Sequence, residues 1–191
     1  MHVLECVQDD KLPYDRLGRS TLEELFVLTL KQWEQKELRV MLIDALDMIL
    51  AHYDGEKLAD DRGVCGLRAY DLWMAAFRNG HVEPFGNAYN FAVVQDARRL
   101  GADFLWELAA KYDEAVDTRI RELLGEAAQL YELIAARLGE LTTRFPFPSG
   151  GDPNSIESRG VAISVLQQVS DMEHQAVGLF IKMQTLLQQQ C

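Results

Sequence analysis

Two oppositely charged residues, Arg98 and Glu173, stand where the sequence pattern otherwise places apolar side chains. Near the C-terminus, steps of three and four residues mark an apolar helix face that Glu173 interrupts. The other members of that face are Leu166, Val169, Ala176, Phe180, Met183 and Leu187. The same steps mark an earlier face that Arg98 interrupts, and its other members are Phe91, Val94, Gly101, Leu105 and Leu108.

A charge on a buried helix face is costly unless it is paired and hydrogen-bonded. Arginine can hold a carboxylate through two parallel hydrogen bonds. We therefore expect Arg98 and Glu173 to pair between two helices. The alternative is that both helices are rotated slightly, so that both charged groups extend to water.

Further polar residues precede Arg98 in the stretch "FGNAYNFAVVQDARRL". Asn87 is a good helix N-cap. Asn90 is not needed for a cap, and it lies two steps of four residues before Arg98, which predicts that both are on the same side of the helix. Upstream, "GLRAYDLW" supplies aromatic residues with polar tips, which usually lie in a core with one hydrogen bond but can also line a pocket. The residues that we expect to form a binding site are Tyr70, Trp73, Asn87, Tyr89, Asn90, Arg98 and Glu173. In this prediction Asn90, Arg98 and Glu173 form one buried cluster, with Tyr70 and Tyr89 near its rim.

Histidine and cysteine patterns give little support to a metal site or a nucleophile. No Glu-x-x-His of the di-iron bundles occurs, and the nearest pattern is "DMEH", which places Asp171 three residues before His174. Cys65 precedes a helix whose N-terminus could lower its pKa, but a small buried thiol explains it more simply. We therefore predict no metal and no cofactor.

The elements that must position these residues are almost all helical. A capping box in "STLEELFVLTLKQW" opens the first helix, which "KELRVMLIDALDMILAHY" continues or restarts. A second helix lies in "GLRAYDLWMAAFRNG" and ends at Gly80, and a third runs from about Asn87 to Tyr112. A fourth carries a near-heptad apolar face before "FPFPSGGDPNS", whose prolines and glycines forbid a helix, and a fifth continues to "LLQQQC". The pattern predicts an all-α bundle of about five helices over residues 20–191, preceded by a short extended arm, residues 1–19.

Composition narrows the classes of partner and location. The net charge of −11 argues against nucleic acid and against an anionic membrane, since both need a basic surface. No apolar run approaches the ~20 residues that cross a bilayer, and "MHVLECVQDD" is not a signal peptide. Three widely spaced cysteines do not form a disulfide framework, so we expect a cytoplasmic protein. The strand-like "HVLECV" and the apolar "LRVMLIDALDMIL" together predict a homodimer.

The motifs "GLRAYDLW", "FGNAYNFAVVQDARRLGADFL" and "FPFP", with Glu173 in the last helix, resemble the helical C-terminal half of the butirosin biosynthesis protein H family. The resemblance covers roughly residues 60–185 and rests on Gly66, Tyr70, Trp73, Gly86, Asn87, Tyr89, Asn90, Ala97, Arg98, Phe145 and Pro146. That family joins a cysteine-peptidase-like half to a helical half. No Cys/His pair of the peptidase-like half can be placed here, so the resemblance implies a helical module without the acyl-transfer or hydrolytic chemistry.

Three functions remain open from the sequence. The first is a helical module that binds a small molecule or a partner protein through the polar cluster. The second is a metal-assisted or hydrolytic enzyme that uses Arg98 and Glu173, with His174 as a further candidate. The third is a structural subunit that docks on a separate catalytic domain.

Overall fold

The computed structural model describes residues 36–55, 64–111 and 118–189. These residues form five α-helices and no strand: α1, Leu38–Tyr53; α2, Arg68–Asn79; α3, Pro84–Lys111; α4, Thr118–Arg144; and α5, Ile156–Gln189. The predicted all-α bundle is therefore confirmed for this part of the chain. The predicted arm, the capping box at Ser20 and the start of the bundle at residue 20 lie outside the described residues.

Helix α4 packs against both α3 and α5, while α1 and α2 each pack against α5. The Cα atoms of α3 and α5 stay more than 8 Å apart, so the space between these two helices is filled by long side chains. That space contains the candidate site.

The apolar face predicted near the C-terminus is confirmed along α5. All six apolar members of that face are buried, and Glu173 is buried among them. The near-heptad face of α4 is likewise turned inward, with Leu130 only partly buried. Burial of these two faces against one another and against α3 supplies the main hydrophobic core.

The start of α3 differs from the prediction. The helix begins at Pro84, a residue whose fixed φ and missing N–H suit the first helical position. The carboxylate of Glu83 accepts hydrogen bonds from the backbone N–H groups of Phe85 (2.9 Å) and Gly86 (2.5 Å). Asn87 therefore lies inside the first turn and is not the N-cap, and Glu83 satisfies backbone donors at the observed start of the helix.

Two other helix ends have residues that commonly occupy such positions. Helix α2 ends at Gly80, and the hydroxyl of Ser155 accepts a hydrogen bond from the N–H of Ser158 (3.2 Å) at the start of α5. None of the five helices is both long enough and apolar enough to cross a membrane.

Candidate functional site

Glu173 is completely buried and accepts three hydrogen bonds from three different helices. Arg98 of α3 donates from Nε to Oε1 over 2.5 Å. Tyr70 of α2 donates to Oε1 and Tyr53 of α1 donates to Oε2, each over 2.9 Å. The predicted pairing of Arg98 with Glu173 is confirmed, and the alternative in which both charges extend to water is wrong.

A fourth helix joins this cluster through Tyr131, whose hydroxyl oxygen lies 2.6 Å from that of Tyr53. Because Tyr53 already donates its proton to Glu173, Tyr131 must be the donor in this contact. Tyr53 and Tyr70 thus donate directly to the Glu173 carboxylate, and Tyr131 donates to the hydroxyl oxygen of Tyr53. A carboxylate that is inaccessible and holds three donors is poorly suited to abstract a proton or attack a substrate.

Burial and charge stabilise one protonation state of the cluster. Burial is the largest cause that raises the pKa of Tyr53, Tyr70 and Tyr131 above the ordinary value of 10.0, and the Glu173 charge raises it further. For Arg98, burial is the largest cause and lowers the pKa, but the charge of Glu173 together with the three tyrosines outweighs it, and the net pKa is raised. The three tyrosines therefore stay neutral, and Arg98 stays charged.

The guanidinium of Arg98 is held from two sides. Its Cζ lies 5.3 Å from the centre of the Tyr131 ring, in cation–π geometry. Gly101, one turn further along α3, makes room for that ring, because a Cβ there would lie 2.8 Å from Cδ2 of Tyr131. Within the described residues, no group accepts a hydrogen bond from Nη1 or Nη2 of Arg98. These two nitrogens are the donors of Arg98 that remain for another molecule.

A pocket of about 230 Å³ opens beside Arg98, between the end of α1 and the facing sides of α2 and α3. Its lining residues are His52, Tyr53, Cys65, Gly66, Ala69, Tyr70, Trp73, Val94 and Arg98. Gly66 has a positive φ of 71°, and a Cβ there would overlap the carbonyl group of Tyr53. This close approach, with the Leu67 N–H donating to the Tyr53 carbonyl (3.3 Å), fixes the pocket rim to the end of α1.

One wall of the pocket is the indole of Trp73, and its orientation is fixed. Trp73 donates from Nε1 to Oδ1 of Asn87 over 2.9 Å. Its ring also stacks on Phe91, with centroids 4.4 Å apart and planes at 22°. Asn87 is buried and its Nδ2 has no partner among the described residues. Asn87 thus supports a wall residue and does not itself line the pocket.

Two of the predicted site residues lie elsewhere. Asn90 is exposed, and Tyr89 is 53% exposed with its ring against Phe147. The physical reason is the helical repeat, because each residue advances about 100° around the axis. Eight residues turn Asn90 about 80° away from Arg98, and nine residues turn Tyr89 about 180° away. The cluster therefore contains Tyr70, Arg98 and Glu173, whereas Asn90 and Tyr89 are not part of it.

Sequence reasoning missed Tyr53 and Tyr131, although a signal for each was present. Tyr131 lies four residues after Ala127 and three before Ile134, on the predicted apolar face of α4. Tyr53 lies seven residues after Leu46, at the end of an apolar helix face. A tyrosine at a core position needs a hydrogen-bond partner, and a charged residue on a neighbouring face could provide one.

The other candidates for chemistry are apart from the cluster. His174 is exposed, with Nδ1 hydrogen-bonded to the carbonyl of Ser170 in its own helix (2.7 Å). Cys65 lines the pocket and has intermediate exposure. In residues 36–55, 64–111 and 118–189, no group of three or more His, Cys, Asp or Glu side chains could hold a metal ion.

A larger groove, of about 510 Å³, lies between α4 and α5. Its lining residues are Glu126, Gln129, Leu130, Leu133, Gln175, Gly178, Leu179 and Lys182. None of them belongs to the buried cluster, so the smaller pocket beside Arg98 is the better candidate for a specific site.

Comparison with protein-family models, curated proteins and solved structures finds no match to this chain. The resemblance to the butirosin biosynthesis protein H family therefore stays a prediction.

Proposed function

We propose that this chain is a binding protein for a small molecule, which occupies the pocket beside Arg98. One observation carries the proposal: Glu173 and Tyr131 hold a charged guanidinium in place while its two terminal nitrogens have no acceptor among the described residues. A mostly apolar pocket with a few fixed polar groups is the usual form of a small-molecule site.

Binding without catalysis is favoured over the enzyme alternatives by the state of Glu173. A hydrolytic or metal-assisted mechanism would require this carboxylate to reach a substrate, a water or a metal ion. Its side chain has no exposed surface, and its oxygens already accept from Arg98, Tyr53 and Tyr70. In our proposal Glu173 orients Arg98 and takes no part in a reaction.

The homodimer belongs to the same proposal. Three side chains of α1 support it, since Val40, Met41 and Met48 are apolar and well exposed. Sedimentation of the purified chain at low micromolar concentration tests it, and a clean species near 21.7 kDa would refute it. A cytoplasmic location is also a proposal, which cell fractionation tests. Docking on a separate catalytic domain is a further proposal, which co-purification from the native host tests.

The binding function is tested by a thermal-shift screen of small metabolites against the purified chain. A compound at 100 times its Kd stabilises the fold by about 2.7 kcal/mol. Ala69 lines the pocket, so Ala69→Leu should remove the response by filling it. Ala110→Leu, on an exposed position of α3, is the matched control and should respond like the parent protein. A hit that survives Ala69→Leu would place binding elsewhere, and the absence of any hit would count against the function.

A further inference from the structure

The composition of the pocket lining differs from the acidic composition of the chain as a whole. The chain has 30 acidic and 19 basic residues, yet none of the nine pocket-lining residues is acidic. The lining includes Arg98 and His52. Because no described lining residue is a carboxylate, the pocket favours an anionic ligand, which the acidic surface elsewhere would repel.

The geometry of Arg98 indicates which anionic group the ligand carries. Its Nε is committed to Glu173, so a ligand meets the end of the guanidinium that bears Nη1 and Nη2. These two nitrogens lie in one plane and match the two oxygens of a carboxylate, which can accept from both. Glu173 and Tyr131 hold the fork before the ligand arrives, which reduces the entropy lost on binding.

The volume and the walls of the pocket limit the size and the shape of the ligand. Its volume of about 230 Å³ is below the roughly 300–1,000 Å³ of pockets for drug-sized ligands. This volume equals the volume that about seven or eight water molecules occupy in liquid water, at ~30 Å³ each. Trp73 offers a flat wall whose orientation is fixed by Asn87 and Phe91, which suits a planar group.

We propose that the pocket binds a small planar carboxylate, of the size of one aromatic ring with an acid group, and that both terminal nitrogens of Arg98 hold its carboxylate. This inference rests on the binding function proposed above and names the class of ligand. The apolar ring lies against Trp73, and the acid group lies at the end formed by Arg98.

Three probes of nearly equal shape test the class: benzoate, benzamide and benzylamine, each titrated into the full chain at neutral pH and followed by calorimetry. Benzoate should bind at least about tenfold more tightly than benzamide, because a hydrogen bond to a charged group contributes on that order. Benzylamine should not bind, since its ammonium would face the guanidinium. Ala69→Leu should abolish benzoate binding by occupying the pocket.

Arg98→Lys separates recognition from folding. A lysine keeps the positive charge beside Glu173 but lacks the planar fork, so circular dichroism should show a folded helical protein with benzoate binding weakened at least about tenfold. Arg99→Lys is the matched control: Arg99 is the next residue, is exposed, and pairs with Asp96 and Asp103. It should bind benzoate like the parent protein.

The outcomes distinguish the two proposals. Binding of benzamide or benzylamine as tightly as benzoate, with loss in Ala69→Leu, would overturn the carboxylate class and leave the pocket's function standing. Unchanged benzoate affinity in a folded Arg98→Lys variant would also overturn the class. Failure of all three probes at about 10 mM, where even a millimolar Kd gives near-saturation, would overturn the planar carboxylate class, and the thermal-shift screen would then decide the binding function.

Discussion

Arg98 reaches Glu173 through Nε, and this choice of nitrogen leaves the forked end of the guanidinium without an acceptor among the described residues. An end-on pair would have used both terminal nitrogens on the buried carboxylate. In the side-on pair, the guanidinium of Arg98 compensates the buried charge of Glu173 and still has donors directed to the pocket. In our proposal, Glu173 is then a positioning residue, and Arg98 is the residue that binds the ligand.

Replacing Glu173 by glutamine should be strongly destabilising. The substitution keeps the shape but leaves Arg98 charged and without a compensating anion, and breaking a buried ion pair costs about 3–5 kcal/mol. Glu107→Gln removes an exposed partner of Lys111 (2.6 Å) and should change the free energy of unfolding by no more than about 0.5 kcal/mol. Urea unfolding of both variants measures the difference. Equal midpoints would mean that Arg98 does not depend on Glu173.

The double substitution Arg98→Met with Glu173→Leu should recover only part of that loss. Apolar replacement of a buried ion pair is often neutral or stabilising. Here, however, Tyr53 and Tyr70 would lose the acceptor of their hydroxyl protons. Each buried donor left without an acceptor destabilises the fold by about 1–3 kcal/mol. Adding Tyr70→Phe should therefore raise the urea midpoint of the double variant. A midpoint that falls instead would contradict this account of the tyrosines.

Gly101→Ala should destabilise the protein, although alanine is the better helix former by about 1 kcal/mol. The added Cβ would lie 2.8 Å from the Tyr131 ring and would displace it from Arg98. Gly178→Ala, inside α5 with nothing within 4 Å of the new Cβ, is the matched control and should be stabilising. Thermal unfolding compares the two variants. Stabilisation by both would show that the Tyr131 ring moves aside at no cost.

Stability should fall steeply above about pH 10, because burial raises the pKa of Tyr53, Tyr70 and Tyr131 in the folded state. The unfolded chain releases these protons near pH 10 while the folded chain keeps them, so the stabilisation is complete below pH 10 and is lost above it. Each such tyrosine lowers the free energy of unfolding by up to about 1.4 kcal/mol per pH unit. Tyr70→Phe should reduce this slope by the contribution of one tyrosine, up to about 1.4 kcal/mol per pH unit. Urea unfolding at several pH values measures the slope. A slope equal to that of the parent protein would contradict the prediction.

The sequence predicted the all-α architecture of the described residues and pointed to the Arg98–Glu173 pair, because both depend on a repeated pattern of apolar positions. It failed for Asn90, since two steps of four residues accumulate about 80° of rotation around a helix. It also misplaced the start of α3, where Glu83 rather than Asn87 satisfies the backbone donors. Tyr53 and Tyr131 come from helices whose proximity to Arg98 depends on how the bundle packs, which a pattern along one helix does not contain.

The most direct test of the central claim is an NMR spectrum of the arginine side chains in 15N-labelled protein, with the Arg98 signals assigned by their loss in Arg98→Lys. The Arg98 Nε–H donates to a buried carboxylate, so it should exchange with water far more slowly than the Nε–H of exposed Arg99. Addition of benzoate should shift the Nη signals of Arg98 and leave its slow Nε–H exchange unchanged. A rapidly exchanging Arg98 Nε–H, or Nη signals that do not respond to benzoate, would contradict the account.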